Sequence, residues 1–293
     1  MMNPPSMHAG ACRSYLFVPG NRPERFDKAC AAGAGAVIID LEDAVAPDEK
    51  LTARAAVRDW LCSEKTTGRT ADQVVLIRIN SAMTAWFADD LALSNLPGVA
   101  GIVLPKAEHV EQLRMVAEAG AATILPLIES AQGFAQLAEL AQQARVQRLI
   151  FGSIDFQLDL GIDGEGDELL FFRSQLVLQS KLAGILSPVD GVSVGIDDHT
   201  QLVSDAQRAR QLGFGAKLCI HPKQVEHVNR AFRPNAVSIA WAARVIAAAD
   251  AAGGAAVAVD GKMVDLPVLL KARAISAEVE MLVGLNSASG DIG

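Results

Sequence analysis

The chain has 293 residues, 51% hydrophobic and 20% charged, which excludes a disordered protein and leaves enough apolar material for a large core. Its formal net charge of −8 excludes nucleic acid as the main partner, because phosphate backbones are held by basic surfaces. No apolar run approaches the roughly 18 residues of a membrane span, and the opening MMNPPSMHAGAC lacks the basic and apolar regions of a secretory signal, so residues 1–12 read as a flexible tail.

Along the chain, short apolar runs alternate with segments of helical period. SYLFVPG (14–20) precedes a helix from about residue 24, AVIIDLED (36–43) one from about residue 50, and VVLIRIN (74–80) one near 85–94. GIVLPK (101–106) is followed by a helix near 108–119, and ATILPLIES (122–130) by one near 131–143. VQRLIFGSID (146–155) precedes a helix near 167–183, DGVSVGID (190–197) one near 199–212, and AKLCIHP (216–222) one starting near residue 224. Eight strand-like runs, each followed by a helix, predict a (β/α)8 TIM barrel over residues 13–237, in a fold class where about 250 residues is typical. A doubly wound open sheet is the alternative, but it would show fewer strands and a glycine-rich phosphate loop after the first, and that loop is missing. Residues 238–293 are an appended piece: a helix at 238–252, a hairpin at 256–265 with Asp260-Gly261 as its turn, and a helix at 267–283. A barrel does not need them, so they read as a lid or an oligomer contact. The four cysteines, Cys12, Cys30, Cys62 and Cys219, form no CxxC pair and fit reduced thiols in a cytoplasmic protein.

In such a barrel the chemistry lies at the C-terminal ends of the strands. The sequence puts Asp40, Glu42 and Asp43 on strand 2, Arg78 and Asn80 on strand 3, and Lys106 on strand 4. Glu129 ends strand 5, Asp155 ends strand 6, Asp197 and Asp198 follow strand 7, and His221 ends strand 8. Glu129 follows a fully apolar run, where a charge is costly unless it is paired. Glu129 and Asp155 fall on neighbouring strands, and two close carboxylates repel unless one is protonated or a cation sits between them. A hard divalent ion, Mg²⁺ before others, suits such an all-oxygen site, with water and substrate completing it. The competing reading has the pair capping loop amides or bridging to Arg78. No paired histidines carry zinc spacing. Lys106 offers a Schiff-base route, but the carboxylate pair argues for the metal. Glu42 and Asp43 read as groups that support metal-bound water or the loops, and not as ligands. His221, before a proline, reads as structural. Arg78 has a blander reading as a neutraliser of strand-end carboxylates, and Asp265, two residues before Pro267, as a helix N-cap.

Eight segments in order, RSYLFVPGNRPERFDKA, IIDLEDAVAPDEK, IRIN, VLPKAE, PLIESAQG, FGSIDFQLDLG, GFGAKLCIHPKQV and GKMVDLP, resemble the HpcH/HpaI aldolase and citrate lyase superfamily, within it the citrate lyase β-subunit-like proteins. The resemblance runs from about residue 13 to about residue 275. It implies a (β/α)8 barrel, often a trimer, that handles coenzyme A thioesters with Mg²⁺. Residue by residue, it makes Glu129 and Asp155 the metal ligands and Arg78 the arginine that holds a substrate carboxylate or carbonyl oxygen. It makes Asp265 an acid/base that reaches a neighbouring subunit's site. In one loop the chain departs from the pattern: GIDGEGDELLFF (161–172) is acidic where many relatives carry basic residues.

The chemistry this implies is retro-Claisen or aldol cleavage of citryl-CoA, malyl-CoA or citramalyl-CoA, with Mg²⁺ as Lewis acid and template. Two further readings stay open: a citrate lyase β subunit acting on an acyl-carrier-protein thioester within a larger complex, and the reverse, malate synthase-like condensation. Coenzyme A brings phosphates, for which Arg13, Arg22, Arg25 and Lys28 are the candidates; the competing reading is a solvated helix face.

Overall fold

The computed structural model describes residues 12–63, 73–253 and 257–288, which belong to two compact units dividing after Phe232. The predicted N-terminal tail lies outside the described residues except for Cys12, which is buried with its thiol donating to Gly35 O at 3.0 Å.

In the first unit eight parallel strands close into a barrel in sequence order. They are β1 (Ser14–Pro19), β2 (Ala36–Asp40), β3 (Val74–Arg78), β4 (Gly101–Leu104), β5 (Ile124–Ile128), β6 (Arg148–Phe151), β7 (Leu186–Asp190) and β8 (Ala216–Cys219). The intervening helices are α1 (Phe26–Cys30), α2 (Lys50–Leu61), α3 (Phe87–Asp90), α4 (Val110–Glu118), α5 (Ala131–Ala135), α6 (Leu137–Ala141), α7 (Ser153–Leu160), α8 (Leu170–Leu182), α9 (His199–Leu212) and α10 (Pro222–Ala231). This is the (β/α)8 barrel expected from the sequence.

Two apolar layers follow from the alternation of side chains along each strand. Leu125 and Leu127 of β5 turn inward with Ile38, Leu76, Ile150 and Leu218, while Ile124 and Ile128 turn outward to the helices. Helices supply the matching stripe: Ala53, Val57 and Leu61 of α2 recur every four residues and are all buried. The same alternation points Glu129, one residue past β5, into the barrel.

The structure corrects the seventh strand. The sequence reading put it at 190–197, but β7 is LSPVD, residues 186–190. Pro188 and Ser187 make that segment read as a turn, whereas Val192, Val194 and Ile196 alternate like a strand. A proline is tolerated here because the β6–β7 register shifts, Arg148 opposing Leu186 and Ile150 opposing Val189, so β7 bulges at Ser187–Pro188.

Two charged clusters brace the barrel. At its N-terminal end Arg148 Nη1 donates to Cys12 O at 2.9 Å and Tyr15 Oη at 3.0 Å, and Nε donates to Ser187 O at 2.6 Å. Between barrel and helices, Asp190 takes Arg173 Nε of α8 at 2.9 Å and Lys217 Nζ of β8 at 3.3 Å.

The second unit, taken by itself, holds α11 (Ala236–Ala251), the antiparallel pair β9 (Val257–Val259) and β10 (Lys262–Val264), and α12 (Leu266–Ala288). Its small core is Ala242, Val245, Val264 and Ala272. The hairpin turn is the predicted one: Asp260 and Gly261 have φ of 51° and 74°, as a two-residue turn of this hand requires. No described helix is long and apolar enough to cross a membrane.

Candidate active site

A cavity of about 380 Å³ opens at the C-terminal ends of the strands, lined by Asp40, Asp43, Arg78, Glu129 and Asp155 among apolar neighbours. The parallel register sets Asp40 beside Arg78. Arg78 donates from Nε to Asp40 Oδ1 at 2.7 Å and from Nη2 to Asp40 Oδ2 at 2.6 Å, a fork on a carboxylate. Its Nη1 donates to Asp43 Oδ2 at 3.1 Å, and the guanidinium stacks over Phe17, 4.8 Å from the ring centre. Glu42 Oε2 lies 3.0 Å from the same Nη1, but the angle is unsuited to a hydrogen bond, and this buried oxygen has no hydrogen-bond partner.

The turn that carries Glu42 and Asp43 follows β2 and is not part of it, as the sequence reading had it. Buried Lys50 Nζ holds that turn, donating to Leu41 O at 2.7 Å and Glu42 O at 2.6 Å. Asn80, just past β3, is turned to Asp90, whose Oδ2 takes its backbone N at 2.9 Å and its Nδ2 at 2.6 Å.

Glu129 is 4% exposed, and its Oε1 accepts from Lys106 N at 2.8 Å. Lys106 reaches it by adopting φ of 47°, a left-handed conformation that costs a non-glycine residue roughly 1 kcal/mol. Glu129 therefore does cap a loop amide, as the competing reading held, through one oxygen. Its other oxygen faces Gly152, where a Cβ would stand 2.6 Å from both Glu129 Cβ and Oε2. Only glycine lets the chain pass there. The exposed Lys106 side chain is not among the cavity's lining groups.

Asp155 needs a second correction. It does not end a strand: β6 stops at Phe151, and Asp155 is the third residue of α7. FGSID reads as a strand continuing because it follows directly on the apolar run of β6, but Gly152 turns the chain into a helix whose first turn favours an acid. Asp155 still lines the cavity with Glu129.

The electrostatics show what this arrangement lacks. Burial pushes the Glu129 pKa up to about 8, with Glu42 and Asp155 adding repulsion that the Lys106 amide and Arg78 only partly offset. Burial raises Glu42 to about 7; Arg78 opposes this, while Asp43 and Asp40 add to it. Burial works against the Arg78 charge, yet Asp40 outweighs it, by charge and by hydrogen bond, and the guanidinium pKa rises. Asp40, Asp43, Glu129 and Asp155 thus face one lining cation. A Glu129 oxygen left over from its amide contact and this excess of negative charge fit a hard divalent cation. Among the described residues no group of three or more His, Cys, Asp or Glu side chains is arranged to hold a metal by itself, so water and substrate would have to complete any such site.

Other expected residues lie elsewhere. Arg13 precedes β1 and stands at the opposite end of the barrel from Glu129, which removes it as a contact for a ligand entering at the strand ends. Arg22, Arg25 and Lys28 are exposed just after β1 and on α1. Asp265 is exposed at the start of α12, where Oδ1 accepts from Val268 N at 3.1 Å, the predicted N-cap. His221 caps α10 by accepting from Lys223 N at 3.2 Å. Asp40 was named at a strand end but given no role, and Gly152 went unnoticed. The register between β2 and β3 signals the first, and the glycine directly after an apolar run the second.

A closed parallel barrel with an acidic, oxygen-rich cavity at its strand ends defines a class of (β/α)8 proteins built to hold a cation and a small anionic ligand. Residues 13–222 match the HpcH/HpaI aldolase/citrate lyase family, and the chain belongs to it. It is 34% identical over 275 residues to a citrate lyase subunit beta-like protein of Deinococcus radiodurans, covering 90% of this chain and 95% of that one. It is also 34% identical over 285 residues to a (3S)-malyl-CoA thioesterase of Cereibacter sphaeroides, covering 94% and 97%. The crystal structure of CitE from Mycobacterium tuberculosis in complex with magnesium, acetoacetate and coenzyme A superposes with a TM-score of 0.80 at 34% identity, covering 92% of this chain and 98% of that one.

Proposed function

We propose that the protein is a Mg²⁺-dependent carbon–carbon lyase that cleaves a 3-hydroxy-3-carboxyacyl-CoA thioester into acetyl-CoA and a 2-keto acid. The observation that carries this is the acidic cavity, where Asp40, Asp43, Glu129 and Asp155 face one lining cation and burial, with repulsion from Glu42 and Asp155, pushes the Glu129 pKa up to about 8. Family membership supports it, as does the magnesium and coenzyme A bound by the M. tuberculosis relative.

Glu129 and Asp155 would hold the ion. When bound, it acts as a Lewis acid and template, easing loss of the proton from the substrate hydroxyl. With that proton passed to water, the bond between C2 and C3 breaks, the C3 oxygen becomes the keto group, and the electron pair collects as the thioester enolate. Arg78, preorganised by Asp40, neutralises charge on the keto-acid oxygens or the enolate, a role that is typically large. Asp265 protonates the enolate carbon, serving a neighbouring copy's cavity in the trimer that the resemblance implies. Arg22, Arg25 and Lys28 are the proposed contacts for the coenzyme phosphates.

The test is keto-acid release by the purified protein from citryl-CoA, malyl-CoA and citramalyl-CoA, each with Mg²⁺ and with EDTA. Metal-dependent release from at least one is expected. Asp265→Asn should abolish it and leave Mg²⁺ affinity unchanged; full activity of that variant would sink the role of Asp265. A second reading is favoured by the relatives' names: turnover only of a carrier-protein thioester would mark a citrate lyase β subunit, and release of malate with free coenzyme A a thioesterase. Crystals of M. tuberculosis relatives hold pyruvate in one case and oxaloacetate in another, so the keto acid of this chain is a separate question.

A further inference from the structure

We infer that Gln224 is a positioning residue for the cavity: its side-chain amide fixes the wall made by Val192 and Ile220, an inference that rests on the lyase reading above for the ligand this wall meets. Both residues line the cavity, and residues 192–196 belong to no described strand or helix. Gln224 lies on α10 and is 0% exposed. Its Oε1 accepts from Ile220 N at 2.9 Å, and its Nε2 donates to Ser193 O at 2.9 Å and to Gly195 O at 3.3 Å. One side chain thus ties the segment after β7 to the segment after β8.

Helix capping accounts for the Oε1 contact alone. On α4 a glutamine at the same third position, Gln112, accepts through Oε1 from Glu108 N at 2.8 Å and His109 N at 3.0 Å, and its Nε2 makes no hydrogen bond among the described residues. On α10 the amide nitrogen has a second task. The carbonyls of alternate residues accept from side chains: Gly191 O from Lys217 Nζ at 2.7 Å, then Ser193 O and Gly195 O from Gln224. These residues alternate like a strand, yet the neighbour that meets their carbonyls is a glutamine. Val194 and Ile196 are 64% and 39% exposed, so packing does little to hold the segment in place. Without Nε2 the carbonyls at 193 and 195 lose this donor and the wall its link to α10, while Lys217 still holds Gly191. Glu129 follows β5 and Asp155 lies on α7, both outside this link. Its loss therefore weakens the hold on the acyl group and leaves the metal carboxylates in place.

The experiment compares Gln224→Glu, which keeps an acceptor for Ile220 N and loses the donor, with Gln224→Met, which loses both. KM and kcat are measured on malyl-CoA, citramalyl-CoA and citryl-CoA, Mg²⁺ affinity by calorimetry, and nicking of the folded proteins by thermolysin, mapped by mass spectrometry. Both variants are expected to raise KM roughly tenfold with kcat kept within about twofold, to keep Mg²⁺ affinity, and to be nicked roughly tenfold faster within residues 191–198. A wild-type KM in Gln224→Glu overturns the inference and leaves Gln224 a helix cap; a fall in kcat at unchanged KM overturns it too. Should Gln224→Glu not fold, Gln224→Met decides by position: faster nicking within 191–198 with a raised KM upholds the inference, and faster nicking at 220–225 alone overturns it. A wild-type protein that cleaves none of the three thioesters sinks the lyase reading instead. The nicking pattern then decides by itself, faster cleavage within 191–198 upholding the hold of Gln224 on the wall and wild-type cleavage in both variants overturning it.

Discussion

Asp190 and Glu129 are both buried carboxylates placed by barrel strands, and they meet opposite fates. Asp190 sits between barrel and helices with Arg173 and Lys217 on its two oxygens. Burial alone would raise its pKa, but Lys217 and then Arg173 outweigh it, and the pKa is lowered. Glu129 has one backbone amide and two repelling carboxylates, and its pKa rises to about 8. The difference separates a cluster completed by the chain from one that the chain leaves incomplete. A buried charge satisfied within the fold serves stability; one left short of a cation marks where something else must bind.

The sharpest way to break this comparison is to remove each carboxylate in turn. Glu129→Gln should cut metal-dependent turnover by roughly 10³-fold and abolish Mg²⁺ binding by calorimetry, with little loss of fold stability. Asp190→Ala should do the reverse, costing about 3–5 kcal/mol in denaturant unfolding because two cations are left buried and unpaired, while Mg²⁺ affinity in the folded protein is kept. Were the two variants to behave alike, the distinction would collapse.

Smaller effects sharpen it. Gly152→Ala should displace the Glu129 carboxylate, since a Cβ there would stand 2.6 Å from Oε2; about tenfold weaker Mg²⁺ binding is expected, in the range of a supporting contact. The last effect, spread over several pH units and small in each, is in pH. Metal-free Glu129 holds its proton in the fold up to about 8, against an ordinary value of 4.5. The folded state then binds more protons than the unfolded chain between those limits. Stability measured in EDTA should therefore fall as pH rises through that window, by at most roughly 1.4 kcal/mol per pH unit for one proton. Glu129→Gln should flatten the slope, and saturating Mg²⁺ should remove it by holding the carboxylate ionised.

Much of this site was legible from residue order, and the parts that were not have physical causes. Glu129 and Arg78 could be placed because apolar parallel strands are read easily and alternation fixes which side chains face inward. Asp155 was found as a group but assigned to a strand, since the switch from β6 to α7 takes place at a single glycine inside an apolar stretch. β7 was missed because its bulge carries a proline, and local chemistry there argues for a turn while tertiary pairing enforces a strand. Asp40 needed the register between two strands, which no single segment carries.

The contact from Lys106 to Glu129 has a consequence for how this position can vary over time. What the Glu129 contact uses is the direction of an amide, set by a backbone angle, while the side chain itself is exposed. For that contact, selection at residue 106 acts on shape, although the lysine's charge also works to lower the Glu42 pKa. Glycine and asparagine, which enter the left-handed region readily, would preserve the contact despite sharing nothing chemically with lysine. Valine, isoleucine and proline would not. Two homologues could thus differ at this site in every functional group and still grip the same carboxylate in the same way.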